Sequence, residues 1–405
     1  MKIRAITCFV NPTKSNYRSV LVSLGAFVDQ AVEGLNSAGY QVQSKRLATV
    51  PFPKYVKANK VPEATLILQE ILSLVGQTGF QYLSLGECTP DNLKHYSMIP
   101  DLLKVDERIF ASGSMTTKDG KISLSAIRAC AETIHATAQV TPDGFANLRF
   151  AALANVKPYA PFFPAAYSDG NNPAVSIAIE GADLALSIFK TGSNLVDLQK
   201  KLREALEEHG KRLESILKPI SKQNKVDFKG LDFSLAPYPT SDCSIASAIE
   251  ALGVSETGSA GSVAAAAMIA STLDQGKWKK IGFNGLMFPV LEDSVLAQRV
   301  SDGDLTWKDL LLFSCVCGTG LDTIPLAGDI SVEQLTSILV DVAALSVRLR
   351  KPLTARLMPV PGKNVWDPTS FTFEYFANSR IMDIRSTEFG GSLADSKELP
   401  VIPKQ

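Results

Sequence analysis

The chain has 405 residues and carries equal numbers of basic and acidic side chains, 41 Lys and Arg against 41 Asp and Glu. This balance excludes the basic surplus that is typical of nucleic-acid-binding domains, so we expect no nucleic-acid partner. An apolar fraction of 45% is ordinary for a folded, enzyme-like protein. The length fits one large barrel or two medium domains.

Three features of the sequence indicate a cytoplasmic protein. The first apolar stretch runs only from Ile6 to Val10 before Asn11 and Pro12 interrupt it, which is too short for the apolar region of a signal peptide. No uncharged apolar run is long enough to span a bilayer, so no membrane partner is expected. The six cysteines are scattered and form no C-x-x-C pair, as expected for reduced cytosolic thiols.

Short apolar or β-branched runs alternate with amphipathic segments along the chain. In chain order, we predict strands at 2–10, 41–47, 80–85, 108–111, 147–154, 174–180, 226–235, 281–290 and 352–358. We predict helices at 17–38, 62–75, 122–138, 194–221, 241–252, 262–272 and 331–347. This order predicts an α/β fold with a mainly parallel sheet covered by helices.

The domain organisation follows from what the sequence lacks. No low-complexity linker divides the chain, and no short repeat of the solenoid type occurs. We therefore predict one domain over residues 1–405, with halves at about 1–190 and 224–405. The helix at 194–221 bridges the two halves, and its leucines recur at helical spacing on one core-facing stripe.

The segment after the strand at 226–235 is the first candidate for a site, because α/β active sites lie on loops at the carboxyl ends of strands. Asp232, Ser234 and Asp242 supply hydrogen-bond acceptors there. We predict Asp232 as an acid–base carboxylate, and Ser234 and Asp242 as ligand-binding residues. Ser241 or Asp242 would alternatively cap the following helix, since caps favour these residue types.

A glycine-rich turn runs from Gly258 to Ser262 and leads directly into a helix. Free N–H groups and the helix dipole favour an anion at such a helix start. This arrangement predicts Ser259, Gly261 and Ser262 as ligand-binding residues. The turn is not a P-loop, because no Lys follows the glycines. The alternative interpretation is a tight turn with a serine cap.

The segment at 283–294 contributes a third set of polar residues. Asn284 is a candidate for ligand binding, and Glu292 and Asp293 are candidates for metal ligation. The two acids would alternatively only complement the dipole of the helix that they begin. No cofactor is indicated by any motif in the sequence.

Two thiols and an acid lie close together in the segment at 314–323, which we predict to be extended. Cys315 and Cys317 would face the same way on a strand. Cys317 is predicted as a nucleophile or acid, and Asp322 as an acid–base carboxylate. Arg356 and Lys363, at the end of a late strand, would bind an anion and lower the pKa of the Cys317 thiol. The alternative is a buried core thiol.

Five of these segments carry recognisable motifs in a fixed order. They are DFSLAP at 232–237, GSAGS at 258–262, FPVLED at 288–293, CGTGLD at 317–322 and RLMPVPGK at 356–363. This set resembles the bacterial and archaeal domain-of-unknown-function family 711, also called uncharacterised protein family 0210. Residues 3–7 and 45–47 resemble the first two strands of that family. This resemblance implies no particular reaction.

The resemblance implies a fold similar to pyruvate formate-lyase and anaerobic ribonucleotide reductase. That fold is a ten-stranded α/β barrel made of two parallel five-stranded halves that run antiparallel to each other. Those enzymes place a catalytic Cys inside the barrel beside a glycyl radical. Here the Gly pair in 389–392, Phe389-Gly390-Gly391-Ser392, lacks the Arg-Val-x-Gly-Tyr setting of such a radical, so we expect chemistry without one.

The sequence therefore favours a non-radical enzyme that acts on a small polar or anionic metabolite in a central pocket. The first alternative is a non-catalytic ligand-binding or regulatory protein on the same barrel. The second is a metal-assisted lyase or hydrolase that uses Asp232, Glu292, Asp293 and Asp322. A small molecule is the expected partner, and a homo-oligomer is left open.

Overall fold

The computed structural model describes residues 1–170, 172–192, 194–385 and 390–404. Its strands are β1 (Lys2–Val10), β2 (Lys45–Thr49), β3 (Tyr82–Cys88), β4 (Ile109–Ser114), β5 (Ile122–Ser123), β6 (Phe150–Ala154), β7 (Ala174–Glu180), β8 (Asp227–Ala236), β9 (Gly320–Ala327), β10 (Leu353–Val360) and β11 (Glu398–Leu399).

Its helices are α1 (Tyr17–Ser37), α2 (Val61–Gln77), α3 (Ile99–Val105), α4 (Leu124–Thr137), α5 (Ala182–Phe189), α6 (Leu195–Gln223), α7 (Ile245–Glu250), α8 (Ser262–Gln275), α9 (Ser294–Asp302), α10 (Trp307–Cys317), α11 (Val332–Leu349) and α12 (Ser392–Asp395). Short 3-10 helices cover Phe52–Lys54, Pro90–Met98, Phe145–Arg149 and Ser241–Cys243.

Nine strands in the described residues form one sheet, in the order β8-β7-β1-β2-β3-β4-β6-β10-β9. At its centre, β1, β2, β3, β4 and β6 run parallel to one another. On one side, β7 and β8 are parallel to each other and antiparallel to β1. On the other side, β10 and β9 relate to β6 in the same way. The prediction of an α/β fold with a mainly parallel sheet is confirmed.

The two faces of the sheet pack against different partners. On β1, Ile6 and Cys8 belong to the large core that also contains the buried faces of the helices. Ala5 and Phe9 belong to smaller clusters on the opposite face, as the period of two along a strand requires. We call this opposite face the inner face.

The loop that follows β6, residues 155–170, packs on the inner face. The Thr7 hydroxyl of β1 donates to the Pro161 carbonyl at 2.7 Å. The Ser84 hydroxyl of β3 donates to the Ala166 carbonyl at 2.8 Å. Hydroxyl groups on the inner face therefore supply hydrogen bonds to backbone carbonyls of this loop, which would be costly to bury without a partner.

α6 has 29 residues and buries one leucine stripe, as its sequence pattern predicts. The buried positions are Leu198, Leu202, Leu206, Leu213 and Leu217. Its other face is charged, which suits a helix that packs one side on a core. Among the described residues, no helix combines the length and apolar character that crossing a membrane requires.

The prediction of a strand at 281–290 is wrong. Residues 280–290, which we call the linking segment, turn at Asn284, whose φ is 46°, and this left-handed geometry interrupts any regular strand. The segment still makes two isolated parallel bridges, one to each edge strand of the sheet. These bridges are Lys280–Leu231 on β8 and Pro289–Asp322 on β9.

The prediction that Cys315 and Cys317 lie on an extended segment and face the same way is also wrong. Both lie on α10, which begins with a capping box at Thr306 and ends where Gly318 adopts a φ of 92°. Residues two apart on a helix point in different directions. Cys317 is buried and Cys315 is partly exposed.

Candidate functional site

A cavity of about 760 Å³ opens on the inner face, within the size range of small-molecule sites. Its wall comes from strands β1 to β4, β6, β9 and β10, the loop at 155–170, the linking segment and the segment at 373–375. Most of the lining is apolar or aromatic. Its described arginines are Arg4, Arg46, Arg108, Arg149 and Arg356.

Two of these arginines and three carboxylates form a chain of ion pairs. Arg356 donates to Glu292 at 2.6 Å and to Asp322 at 2.5 Å. Arg4 donates to the other oxygen of Glu292 at 2.6 Å and to Glu180 at 3.0 Å. Glu292 therefore joins the two arginines, and each guanidinium has two carboxylate acceptors. Such charge-assisted bonds fix the orientation of all five side chains.

The environment separates the pKa values of the two carboxyl groups that Arg356 bridges. Burial raises the pKa of Asp322 above its usual value, and the guanidinium of Arg356 offsets only part of that effect. Burial would also raise the pKa of Glu292, but Arg356, Arg4 and Arg46 outweigh it and lower the pKa. Divergent pKa values in adjacent carboxyl groups are typical of acid–base pairs.

Arg46, on β2, is different from the other arginines. Its Nε donates to the Ser44 hydroxyl at 2.9 Å, and its guanidinium carbon lies 5.3 Å from the Phe163 ring centroid and 5.9 Å from that of Tyr82. Among the residues that the structure describes, no carboxylate lies within 4.0 Å of it. Burial, together with repulsion from Arg4, lowers the pKa of Arg46 to about 10.

The two remaining arginines are already bonded. Arg108 forms a two-pronged pair with Asp106, at 2.8 and 2.6 Å. Arg149 donates one Nη to the carbonyls of Leu103 and Asp106, at 2.8 and 3.0 Å. Within the described part of the chain, Arg46 is thus the cavity arginine whose Nη groups have no protein acceptor.

Aromatic rings surround this charge. Phe110 contacts Phe163, with ring centroids 5.3 Å apart, and Tyr82, with centroids 5.6 Å apart. On another part of the wall, the Phe373 ring lies 5.0 Å from that of Phe145. The cavity thus combines one half-buried cation that has no carboxylate partner with a large apolar surface, an arrangement typical of small-molecule sites.

Among the residues predicted from sequence, the structure brings Glu292, Asp322 and Arg356 together at the cavity. The others lie elsewhere. Asp232 is fully buried, and its carboxylate accepts four hydrogen bonds within the protein. The donors are Ser234 N, Ser234 Oγ, Phe283 N and Asn284 N. These bonds tie β8 to the linking segment.

The neighbours of Asp232 have the same structural character. Ser234 Oγ accepts from Gly285 N at 3.1 Å, and Asn284 Oδ1 accepts from the Trp278 indole N–H at 2.9 Å. Burial raises the pKa of Asp232 to about 6, and its hydrogen bonds limit that rise. These groups bond to one another and do not line the cavity. They therefore stabilise the contact between β8 and the linking segment.

Glu292 and Asp293 point to different partners, although they are adjacent in sequence. Asp293 caps α9 through the N–H groups of Val295 and Leu296 and accepts from the Ser244 hydroxyl at 2.6 Å. The four carboxylates of the metal-assisted alternative therefore do not meet. In the described ranges, no group of three or more His, Cys, Asp or Glu side chains could hold a metal ion.

Asp242 and the glycine-rich turn lie outside the cavity. Asp242 is exposed, and Ser244 caps the following helix instead of Ser241 or Asp242. In the turn, Gly258 N donates to Ser262 Oγ, Ser259 N to a carbonyl at position 256, and Ser262 N to the Ser259 carbonyl. Protein acceptors therefore occupy three N–H groups of this turn, and Gly261 is exposed outside the cavity.

Cys317 lies behind the cavity wall. Its Sγ is 3.9 Å from the hydroxyl of Thr319, which lines the cavity. Arg356, which was predicted to act on this thiol, donates to Glu292 and Asp322 instead. Lys363 follows the end of β10 and is not part of the lining. For Cys315, burial raises the pKa and Lys351 offsets part of the effect.

Sequence reasoning missed Arg4, Arg46 and Glu180. The signal that was available is a charged residue within an apolar strand, as in IRAIT at 3–7 and AVSIAIE at 174–180. A buried strand rarely contains a charge unless that charge is paired or functional. The sequence does not show that these three strands are close together in the sheet.

Comparison with known proteins assigns the chain to the same family by two routes, a family model and individual relatives. The family model described as Uncharacterised ACR (DUF711) matches residues 1–378. A UPF0210 protein of Pyrobaculum aerophilum is 34% identical over 252 residues, which cover 60% of this chain and 54% of that protein. A UPF0210 protein of Pyrobaculum arsenaticum is 28% identical over 395 residues, which cover 91% and 87%.

A more distant relative is a UPF0210 protein of Neisseria meningitidis, 26% identical over 90% of this chain and 80% of that protein. Among solved structures, an anaerobic ribonucleotide reductase is similar, with a TM-score of 0.36 and 9% identity over 88% of this chain and 70% of that chain. Since the family model spans residues 1–378 of 405, the family predicted from the five motifs is confirmed, and the chain belongs to the DUF711 family.

Proposed function

We propose that the cavity is the site of a non-radical enzyme that binds a small anionic metabolite and performs acid–base chemistry on it. The observation that carries this proposal is Arg46, a cation on the cavity wall whose Nη groups have no acceptor among the described residues. Burial of a charge without a partner is costly. An anionic ligand would supply the missing partner.

The acid–base roles fall to the two carboxyl groups that Arg356 bridges. Asp322, with a raised pKa, would hold and donate a proton, and Glu292, with a lowered pKa, would stay ionised. Arg356 would keep both carboxyl groups in place while the proton moves. This assignment retains Asp322 from the sequence analysis and replaces Cys317 and Asp232 as catalytic groups.

Two further observations fit this proposal. Gly390 and Gly391 are exposed and do not line the cavity, which supports chemistry without a glycyl radical. The linking segment contacts both edge strands, which supports the interpretation that it closes the sheet into a barrel around the cavity. All six cysteines are free thiols, which suits a cytoplasmic protein.

The second candidate function is non-catalytic binding of the same anion. It is favoured by one observation, that Glu180, Glu292 and Asp322 are each held by an arginine. The two candidates share the Arg46 site and differ in whether Asp322 transfers a proton. Asp322→Asn separates them, because the amide keeps the shape of the side chain and cannot act as an acid.

The binding test is a thermal-shift screen of carboxylates and phosphates with the wild type, Arg46→Met and Arg108→Met. We expect at least one anion to raise the Tm of the wild type and of Arg108→Met, and to have no effect on Arg46→Met. Arg108 is the matched control because it lines the same cavity and is paired with Asp106. If no anion raises the Tm, or if Arg46→Met responds like the wild type, the proposal is wrong.

The catalytic test follows any anion that binds, by mass spectrometry after incubation in air. We expect the wild type to convert it, and Asp322→Asn to bind it without conversion. Binding without conversion by the wild type would support the non-catalytic candidate. Equal conversion by Asp322→Asn would contradict the acid–base assignment.

A further inference from the structure

We infer that the ligand of this cavity is a monocarboxylate with an apolar body about the size of a phenyl ring, and not a phosphorylated metabolite. The inference rests on the proposed function and specifies its substrate class. It is carried by the charge balance of the cavity wall and by the rings around Arg46.

The charge balance favours one negative charge on the ligand. Arg4 and Arg356 each have two carboxylate partners, Arg108 is paired with Asp106, and one Nη of Arg149 donates to backbone carbonyls. Among the described lining residues, this leaves Arg46 as the guanidinium whose two Nη groups are both free to bind a ligand. No lysine occurs among those residues.

A carboxylate matches that single site in geometry as well as in charge. A guanidinium presents two parallel N–H groups, which a carboxylate accepts with its two oxygens. A phosphate monoester would bring a second charge, and the other lining groups include the acids Glu107, Glu292, Asp322 and Glu374. A second negative charge on the ligand would be repelled by these acids in the same cavity.

The rings indicate what the carboxylate is attached to. A ligand bound to Arg46 lies beside Phe163 and Tyr82, and Phe110 contacts both of those rings. The cavity continues along further apolar side chains, namely Phe145, Leu148, Phe162, Phe283, Met287 and Phe373. Its volume of about 760 Å³ leaves a two-carbon acid mostly in contact with water. An aromatic or similarly bulky body would displace that water and bury apolar area.

The experiment is isothermal titration of the wild type at pH 7 with five probes. The probes are 3-phenylpropanoate, its neutral amide 3-phenylpropanamide, phenyl phosphate, acetate and inorganic phosphate. We expect 3-phenylpropanoate to bind at least about tenfold more tightly than each of the others, since a tenfold difference needs only one well-placed charged contact. The amide tests the charge, phenyl phosphate tests the anion type, and acetate tests the apolar body.

Three variants assign the effect to residues. Arg46→Met should remove the preference for the carboxylate over the amide, whereas Arg46→Lys should retain part of it. Phe163→Leu should weaken 3-phenylpropanoate severalfold and leave acetate unchanged. Arg108→Met should bind like the wild type, because Arg108 is bonded to Asp106.

The outcomes distinguish this inference from the proposed function. If phenyl phosphate or inorganic phosphate binds more tightly than 3-phenylpropanoate and needs Arg46, the substrate class is wrong and the anion site stands. If acetate binds as tightly as 3-phenylpropanoate, the apolar body is wrong. If none of the probes binds in a way that depends on Arg46, both the inference and the proposed anion site are wrong.

Discussion

Each edge strand of the sheet carries an aspartate next to the linking segment, buried on β8 and half-buried on β9, and the two have different partners. Asp232 on β8 accepts hydrogen bonds from uncharged donors alone, three of them backbone N–H groups. Asp322 on β9 accepts from the charged guanidinium of Arg356 and also lines the cavity. Both side chains were candidates for acid–base chemistry in the sequence analysis.

The bonding partners of the two carboxylates show which one supports the fold and which one belongs to the cavity. Four protein donors satisfy the carboxylate of Asp232, which is fully buried and does not line the cavity. Asp322 belongs to a chain of charges that reaches Arg4 and Glu180. A change at Asp232 should therefore alter folding, whereas a change along the charged chain should alter folding and also the function of the cavity.

The largest expected effect is that of Arg356→Met on stability. The variant leaves the carboxylates of Glu292 and Asp322 close together in a buried wall without their shared cation. Removal of one partner from a buried ion pair costs about 3–5 kcal/mol, and we expect a loss of that size in the free energy of unfolding, measured by urea denaturation. Asp322→Asn in the same chain should recover part of the loss.

The control for this prediction is Arg299→Met. Arg299 forms a similar two-pronged pair with Glu250, at 2.9 and 3.1 Å, in a more exposed position. Such pairs contribute up to about 1 kcal/mol. Equal losses in the two variants would show that the cavity network is no more important for folding than a surface pair.

A smaller effect, about 3 kcal/mol at most, is expected from the titration of Asp232. The pKa of this carboxyl rises from about 3.9 in the unfolded chain to about 6 in the folded protein. Between these pH values the folded state binds more protons, so stability from this group falls as pH rises from about 4 to 6. Each pKa unit corresponds to about 1.4 kcal/mol.

The measurement is urea unfolding of the wild type and Asp232→Asn from pH 4 to pH 7. The wild type should lose stability relative to the variant over this range, because Asn does not titrate. Two other acids, Asp293 and Asp322, also have raised pKa values, but they contribute to both proteins and cancel in the difference. Parallel pH curves would contradict the prediction.

The sequence was sufficient for the fold class, the family and part of the site. Strand and helix periodicity depend on local side-chain patterns, and the motifs around Glu292, Asp322 and Arg356 drew attention to one cavity wall. The role of Asp232 was not accessible, because its donors Phe283 and Asn284 come from about fifty residues away. Arg4 and Arg46 were missed because a strand pattern does not reveal which charges share a cavity.

The smallest expected stability effect has the opposite sign to the first. Arg46→Met replaces a half-buried cation with an apolar side chain of similar length, and no protein carboxylate within 4.0 Å loses its partner among the described residues. Burial and repulsion from Arg4 lower the pKa of Arg46 to about 10, so the guanidinium stays charged at pH 7 at a cost to the folded state. We expect the variant to be more stable than the wild type by about 0.5–2 kcal/mol without ligand, as is common when a functional group is removed from its site.

The same Arg-to-Met change at two positions of one cavity therefore tests directly whether Arg356 stabilises the fold and Arg46 does not. Arg356→Met should lower the Tm and Arg46→Met should raise it, with both measured by differential scanning fluorimetry in buffer without added anions. A lower Tm for Arg46→Met would mean that the contacts of Arg46 with Ser44, Tyr82 and Phe163 stabilise the folded protein by more than its unpaired charge costs. In that case Arg46 would be a structural arginine like Arg356, and the predicted difference in sign between the two variants would be wrong.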